Sequence, residues 1–305
     1  MLCSPPLQVN EKVSAVWTDR ESEIAAALFR CPRTSEQILG SSRSFHSRPF
    51  GSLGRLQNRL AALQHQGCIS RRRYRRSIEK GNSFYYQLTL AGYRQWRADA
   101  SAQPPRKRFF AEVSEPHHHH QYDLARFWTA TENFAADAGY TIGSVQPEGS
   151  FSLTDGTAVI QHDGLLPLVS QSGRVFWVFL ELDRSTERLT SSRDDVRHWR
   201  KVLNVYDHLA NHLPAGESFR VWAVCSGSRQ RAANIAELFG EVTDRENRQL
   251  LLSFPLEEFV ASSNGLLYPL AQDHRRDRQL LLPRGGQYFM GKQPANWVEM
   301  LTACR

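Results

Sequence analysis

The first hundred residues combine apolar positions at helical spacing with one stretch patterned for strands. Apolar side chains recur at helical spacing over 19–29 and again over 50–66, which predicts two helices with one buried face each. Between them, Thr34 followed three residues later by Gln37 predicts the capped start of a short helix. The basic stretch that comes next and the segment 84–88 predict a two-stranded ribbon, and a further helix follows it.

Beyond residue 116 the pattern changes to alternating strands and helices, which predicts an α/β domain. After an amphipathic helix over 121–138, strands are predicted over 140–153, 158–169, 175–183, 219–226 and 249–254, and helices over 191–213 and 229–240. We therefore divide the chain into a first domain at 1–99, a basic linker at 100–116, the α/β domain at 117–271 and a mostly polar C-terminal extension at 272–305.

Three helices, a basic ribbon and a further helix are typical of a winged helix-turn-helix domain. In such domains the third helix enters the major groove of DNA and the ribbon contacts phosphates. Here the third helix offers Arg55, Asn58 and Arg59. The ribbon offers five arginines, namely Arg71, Arg72, Arg73, Arg75 and Arg76. A run of arginines is more often a solvated face, but its place on the predicted wing favours DNA binding.

The charge distribution agrees with this division. The chain of 305 residues has 38 Lys+Arg and 31 Asp+Glu, a formal net charge of +7, and its 41% hydrophobic content excludes a wholly disordered protein. Residues 1–116 carry a net charge of +10, whereas residues 117–305 carry −3. We therefore expect the first part of the chain to bind double-stranded DNA.

Cysteine spacing and hydropathy exclude other classes of protein. The five cysteines are widely spaced and form no Cys-x-x-Cys pair, so neither a disulfide framework nor a zinc finger is indicated. The longest apolar run, 175–180, is far shorter than the roughly 20 residues needed to cross a bilayer. We expect a cytoplasmic protein that does not enter a membrane and that is able to form a homodimer.

Carboxylates at the ends of two predicted strands are the strongest chemical feature of the α/β domain. The apolar strand 175–180 continues into Glu181-Leu182-Asp183, and a strand's alternation places Glu181 and Asp183 on the same face. Asp163 lies on the preceding strand, and a hairpin turn at Gly173 can bring it close to Glu181. Crowded carboxylates repel one another unless a hard divalent cation binds them. We therefore predict a Mg²⁺ or Mn²⁺ site formed by Asp163, Glu181 and Asp183.

An Asp on one strand and Glu-x-Lys on the next, followed by a helix, is typical of restriction-endonuclease-like nucleases, in which the bound metal activates a water for phosphodiester cleavage. In this chain Asp183 stands where the lysine is expected. Lys201, on the predicted helix that follows, is the candidate replacement, and Asp183 is then a third ligand or a base.

The chain also resembles the replication-relaxation proteins, which include the MOBC class of plasmid relaxases. The matching features are the winged-helix front half, His117 followed by Asp123-Leu124, Asp163 preceded by His162 where proline is usual, the block FLELDRSTE from Phe179 to Glu187, and Lys201 with Tyr206 on the next helix. The resemblance covers roughly residues 20–225. It implies a nuclease-like fold, a divalent metal and a role in plasmid or mobile-element DNA processing.

The leading hypothesis is therefore a DNA-binding, metal-dependent nicking endonuclease or relaxase-like enzyme. Its candidate catalytic residues are Asp163, Glu181, Asp183, Lys201, His117 and Tyr206. Of the four histidines at 117–120 we assign at most His117 to the site and expect the others to be solvated. The alternative is a non-catalytic DNA-binding accessory or regulatory protein for replication, transfer or transcription, with replication or conjugation proteins as partners. A weaker alternative is an α/β domain that recognises protein.

Overall fold

A computed structural model describes residues 17–74, 84–97, 105–150, 152–184, 193–213, 218–243 and 249–282, without the side chains of 193–197. The chain is a mixed α/β protein, as the sequence predicted. Two parts of it, 17–97 and 118–282, each have a hydrophobic core of their own. None of the helices in the described part of the chain combines the length and apolar character needed to cross a bilayer.

The first part contains three helices, an antiparallel two-stranded ribbon and a fourth helix. They are α1 (Asp19–Arg30), α2 (Ser35–Ser41), α3 (Leu53–His65), β1 (Ile69–Arg73), β2 (Phe84–Leu88) and α4 (Leu90–Trp96). Side-chain hydroxyls cap all four helices and satisfy N–H groups that have no partner inside a helix: Thr18, Thr34, Ser52 and Thr89. The capping box predicted at Thr34 and Gln37 is confirmed, and Thr18 forms a second one with Glu21.

The segment between the two parts packs against the first. A short 3₁₀ turn at Lys107–Phe110 carries Phe109 onto Phe29, with ring centroids 5.5 Å apart, and Phe110 onto Tyr93 at 5.7 Å. The buried Gln87 side chain donates hydrogen bonds to the backbone oxygens of residues 109 and 111. Residues 107–111 are thus held in a defined position on β2 and α1.

The second part is built on a mixed sheet of eight strands. The strands of the main path run in the order β12, β11, β10, β9, β8, β7, β3, and β4 also pairs with β7. Their bounds are β3 (Tyr140–Ile142), β4 (Gln146–Pro147), β7 (Gly164–Ser170), β8 (Val175–Asp183), β9 (Arg220–Cys225), β10 (Leu251–Pro255), β11 (Ala271–Gln272) and β12 (Arg278–Gln279). A separate pair consists of β5 (Leu153–Thr154) and β6 (Val159–Ile160). Strands β8, β9 and β10 are parallel, whereas β7 and β8 form an antiparallel hairpin.

Helices cover both faces of this sheet. Alternate residues of β8 point to opposite sides, so Val178, Leu180 and Leu182 join one core with α5 (His118–Asp137) and α8 (Leu256–Ala261). On the other side Phe179 joins α6 (Arg193–Asn211) and α7 (Arg229–Val242) in a second core. The near-continuous apolar pattern of 175–180 follows from this burial on both faces.

Most predicted elements are confirmed, and the differences are local. The hairpin turn at Gly173 is present, with a positive φ of 76°. The predicted strand 140–153 is divided into β3, β4 and β5, and 158–169 into β6 and β7, because the chain leaves the main sheet after β4, forms the separate β5–β6 pair and returns at β7. Helix α8 and the edge strands β11 and β12 were not predicted. Residues 75–83, between the two strands of the ribbon, lie outside the described residues.

A buried ion pair joins the two parts of the chain. Arg33 precedes α2 and has no exposed surface, and its guanidinium donates to both carboxylate oxygens of Glu132 on α5 at 2.6 and 2.8 Å. Arg30 donates to the same carboxylate at 2.6 Å. Burial alone would raise the pKa of Glu132, but the two arginines lower it to about 2. The pair therefore stabilises the fold fully above about pH 4.5, and the stabilisation is lost as the pH falls toward 2.

We expect Glu132→Gln to lower the free energy of unfolding by about 3–5 kcal/mol, because it leaves the Arg33 charge buried without its partner. Urea denaturation at neutral pH measures this. The matched control is Glu237→Gln, which breaks a pair whose side chains, Glu237 and Arg276, are half exposed. The control should change stability by less than about 1 kcal/mol. Equal effects in the two variants would contradict a structural role for the buried pair.

Candidate metal centre and DNA-facing surface

Three carboxylates lie side by side where β4, β7 and β8 meet. The backbone N–H of Asp163 donates to Leu180 at 3.0 Å, and its carboxylate accepts from the N–H of Leu182 at 2.6 Å, so Asp163 is bonded to the residues on both sides of Glu181. Glu148 follows β4, whose Pro147 pairs with Gly164. We call Glu148, Asp163 and Glu181 the carboxylate row.

His120 joins this row from the start of α5. Its Nε2 lies 3.2 Å from an oxygen of Asp163 and 3.9 Å from an oxygen of Glu148. One ligand atom from each of these three residues lies within 4.8 Å of the other two. One imidazole nitrogen and several carboxylate oxygens in such a space are a donor set able to hold a divalent cation.

Burial and neighbouring charges shift the pKa values of His120, Glu148 and Glu181. Burial would lower the pKa of His120, but the charge and hydrogen bond of Asp163, with the charge of Glu148, raise it to about 9. Burial and the charge of Asp163 raise the pKa of Glu148. The same two causes raise the pKa of Glu181 well above its ordinary value. Protons thus balance part of the negative charge of the group.

Tyr206 lies at the inner end of the row. It is completely buried on α6, its hydroxyl donates to Glu181, and its ring packs against Phe179 with centroids 5.3 Å apart. Burial, and then the charge of Glu181, raise the pKa of the Tyr206 hydroxyl well above its ordinary value. The hydroxyl therefore stays protonated and orients the Glu181 carboxylate.

Asp183 shares a face of β8 with Glu181 but is engaged elsewhere. Both of its oxygens accept from Arg231 of α7, at 2.7 and 3.0 Å, and the indole of Trp199 donates to one of them at 3.4 Å. Asp183 and Arg231 are both buried. Asp183 lies two residues beyond Glu181, and its carboxylate is therefore at the start of α7 and not in the row. The bidentate pairing with Arg231 occupies the oxygens that a metal would need.

The structure does not bring Lys201 to the row. Lys201 is exposed on α6, two residues beyond the buried Trp199, and two helical residues correspond to a rotation of about 200°. His117 is also exposed, and its Nδ1 forms a 2.8 Å hydrogen bond with Ser114. It lines a cleft that also includes Glu148. The roles predicted for Lys201 and His117 stay predictions.

Sequence reasoning missed His120 and Glu148. The expectation that His118, His119 and His120 are solvated is wrong for His118, which is buried against Tyr74 and Tyr85. His120 lies four residues before Leu124 and seven before Phe127, so helical spacing along the buried stripe of α5 could have selected it. Glu148 carries no comparable signal, because its position depends on the short pairing of β4 with β7.

The residues predicted to bind DNA lie mainly on the surface of the first part. Arg55, Asn58 and Arg59 are exposed on α3, although Arg59 also pairs with Glu21 at 2.9 Å. Arg71, Arg72 and Arg73 are exposed along β1. The guanidinium of Arg71 lies over the ring of Phe84, 3.8 Å from its centroid. Arg75 and Arg76 lie outside the described residues.

Comparison with known proteins identifies the family of the chain. A family model described as replication-relaxation matches residues 32–214, which is more than half of the chain and includes the ribbon, the carboxylate row and α6. No curated protein and no solved structure matches the chain. By this match the chain belongs to the replication-relaxation family.

Proposed function

We propose that this protein binds double-stranded DNA through a winged helix-turn-helix domain and nicks it at a metal centre in a restriction-endonuclease-like α/β domain. The observation that carries the proposal is the convergence of His120, Glu148 and Asp163 within 4.8 Å, beside Glu181. Membership of the replication-relaxation family suggests a role in plasmid replication or mobility.

The donor set fits a divalent metal. The hydrogen bond from Leu182 to Asp163 and the hydroxyl of Tyr206 on Glu181 orient two carboxylates, and the amide of Gln121 donates to Glu148. We propose His120, Glu148, Asp163 and Glu181 as the ligands. Asp183, which the sequence predicted as a ligand, supports the strand end through Arg231. A bound divalent ion would lower the pKa of a water and offset charge on the phosphate.

The imidazole of His120 favours Mn²⁺ over Mg²⁺ as the bound metal. Mg²⁺ prefers oxygen ligands, whereas Mn²⁺ accepts an imidazole nitrogen more readily and binds nitrogen ligands more tightly than Mg²⁺. Since His120 contributes a nitrogen, we expect Mn²⁺ to bind more tightly than Mg²⁺ and to support the reaction at lower concentration.

The burial of Tyr206 favours hydrolysis over transfer of the strand to this tyrosine. In hydrolysis, water adds to phosphorus, the bond from phosphorus to one strand oxygen breaks, and that oxygen takes up a proton. A tyrosine nucleophile must reach the phosphate, but Tyr206 is completely buried and hydrogen-bonded to Glu181. Tyr206 therefore acts as a positioning residue for Glu181.

The DNA-binding part of the proposal is supported by the order of the elements and by charge. Helices α1 to α3 precede a ribbon whose first strand presents three consecutive exposed arginines. The first 116 residues carry the positive net charge of the chain. Such a surface provides phosphate contacts from the ribbon and base contacts from α3.

One observation favours the non-catalytic alternative, in which the α/β domain serves only as a scaffold. The position at which related nucleases carry a lysine holds Asp183, and this residue is neutralised by Arg231. A DNA-binding accessory protein would tolerate that replacement. Cleavage assays separate the two functions.

We expect wild-type protein to nick supercoiled DNA with Mn²⁺ or Mg²⁺, and Asp163→Asn and Glu148→Gln each to lower the rate by roughly 100-fold, because each removes a ligand. Gel separation of nicked and supercoiled DNA measures this. Asp137→Asn, an exposed carboxylate at the far end of α5, is the matched control and should retain wild-type activity. Nicking that persists in both ligand variants would refute the metal centre as the active site.

Metal binding should release a proton, because His120 has a pKa of about 9 without metal and must be neutral to coordinate. The affinity for Mn²⁺ should therefore rise by about tenfold per pH unit as the pH increases toward 9, and level off above it. Calorimetry in buffers of different ionisation enthalpy measures both the affinity and the proton. His120→Ala should flatten this dependence, whereas His119→Ala, outside the ligand set, should not. A pH-independent affinity in wild type would exclude His120 as a ligand.

Duplex binding should depend on salt through the ribbon. Replacing Arg71, Arg72 and Arg73 together by Gln should weaken binding and reduce the slope of log K against log salt by about 0.9 for each phosphate that an arginine no longer neutralises. Fluorescence anisotropy in EDTA measures this without cleavage. Arg200→Gln, which removes an exposed arginine of α6, is the control. An unchanged slope in the ribbon variant would place the DNA-binding surface elsewhere.

A further inference from the structure

We propose that Arg108 is the phosphate-binding cation of the candidate active site, contributed by the segment that joins the two parts of the chain. This inference rests on the proposed function, since it assigns the residue that holds the phosphodiester beside the metal centre. It gives a role to a basic segment, 106–108, that the sequence indicated only as a linker.

The first argument is electrostatic. The carboxylate row carries up to three negative charges, and one divalent ion offsets only two of them. A phosphodiester brings a further negative charge, so its approach requires another cation close to the row. The lysine expected for this purpose is replaced by Asp183, and Lys201 lies about 140° around α6 from Tyr206, the residue of that helix that reaches the row.

The second argument is the pairing of three other arginines near the site whose side chains the structure describes. Arg184 pairs with Asp123 at 3.0 Å, Arg231 with Asp183 at 2.7 Å, and Arg30 with Glu132 at 2.6 Å. An arginine whose charge is offset by a carboxylate attracts a phosphate weakly. These three side chains are therefore poor candidates.

The third argument is the position of Arg108. Its Nη2 donates to the side-chain oxygen of Gln161 at 2.8 Å and lies 3.5 Å from the backbone oxygen of Gly149. Gly149 directly follows Glu148, and Gln161 is two residues before Asp163. In the part of the chain that the structure describes, both acceptors of Arg108 are neutral, so they orient the guanidinium without offsetting its charge.

Gly149 makes this close approach possible. Its φ is +64°, and a Cβ there would lie 2.5 Å from Nη2 of Arg108. A side chain at this position would displace the guanidinium. The loop that supplies a proposed ligand thus also leaves room for the arginine.

The segment that carries Arg108 is anchored and not loose. Phe109 and Phe110 pack on Phe29 and Tyr93, and Gln87 donates to two of its backbone oxygens. Arg108 lines a cleft of about 390 Å³ that also includes Glu148, His117 and Gln121. The cleft is therefore lined both by a carboxylate of the row and by a guanidinium whose two acceptors are neutral. A planar guanidinium can donate two hydrogen bonds to nonbridging phosphate oxygens, and no covalent bond to Arg108 forms or breaks.

The test is calorimetry of deoxythymidine 3′,5′-bisphosphate binding at saturating Mn²⁺. This probe is too small to reach from the cleft to the ribbon, so it reports on the cleft alone. We expect Arg108→Gln to weaken binding by about 10- to 100-fold, because a charged hydrogen-bond donor is removed. Arg108→Lys keeps the charge and loses the planar donor pair, so its affinity for the bisphosphate should lie between those of wild type and Arg108→Gln. The matched control is Arg106→Gln, an exposed arginine of the same segment, whose affinity should stay within about twofold of wild type.

Nicking assays provide the second measurement. Arg108→Gln should nick at least about tenfold more slowly at saturating DNA, while its affinity for Mn²⁺ is unchanged. Bisphosphate binding that is equal in wild type and Arg108→Gln, or absent from wild type, overturns the assignment of Arg108 even if the protein nicks DNA. Arg108-dependent bisphosphate binding in a wild-type protein that does not nick supports the phosphate site and refutes the proposed nicking activity.

Discussion

Mutual repulsion among Glu148, Asp163 and Glu181 is the constraint around which the α/β part is arranged. Three carboxylates at the junction of β4, β7 and β8 would separate if nothing compensated them. Several groups compensate them: a backbone N–H of Leu182 on Asp163, a raised pKa on Glu181 and Glu148, and the imidazole of His120. The fold holds the carboxylates together instead of avoiding the repulsion, which is the usual arrangement around a cation.

Asp183 and Glu181 are only two residues apart but have different partners. Glu181 and Asp183 share a face of β8, yet one belongs to the carboxylate row and the other is held by Arg231 and Trp199. The Asp183–Arg231 pair is electrically neutral and fastens α7 to the end of the strand. It also leaves the row without the lysine expected beside it, so the charge that a phosphate needs must come from another element, and we propose Arg108.

The contacts between the two parts of the chain give the proposed function its geometry. The buried pair of Arg33 and Glu132 holds α2 against α5, the helix that also presents His120. The aromatic anchors of residues 109 and 110 set the segment that carries Arg108 between β2 and the loop after β4. These contacts fix the position of the ribbon and of Arg108 relative to the carboxylate row.

The sequence by itself determined the elements: helical spacing of apolar residues, the capping box at Thr34, the hairpin at Gly173 and the doubly buried strand before Glu181 all depend on neighbours along the chain. It also placed Asp163 and Glu181 together, because a hairpin relates them through one turn. Only the tertiary structure decided the rest of the site. His120 comes from a helix, Glu148 from the residue after a two-residue strand and Arg108 from a short 3₁₀ turn, and contacts between distant parts of the chain bring them together. The pairing of Asp183 with Arg231 also depends on tertiary structure, because the packing of α7 brings the guanidinium to this carboxylate.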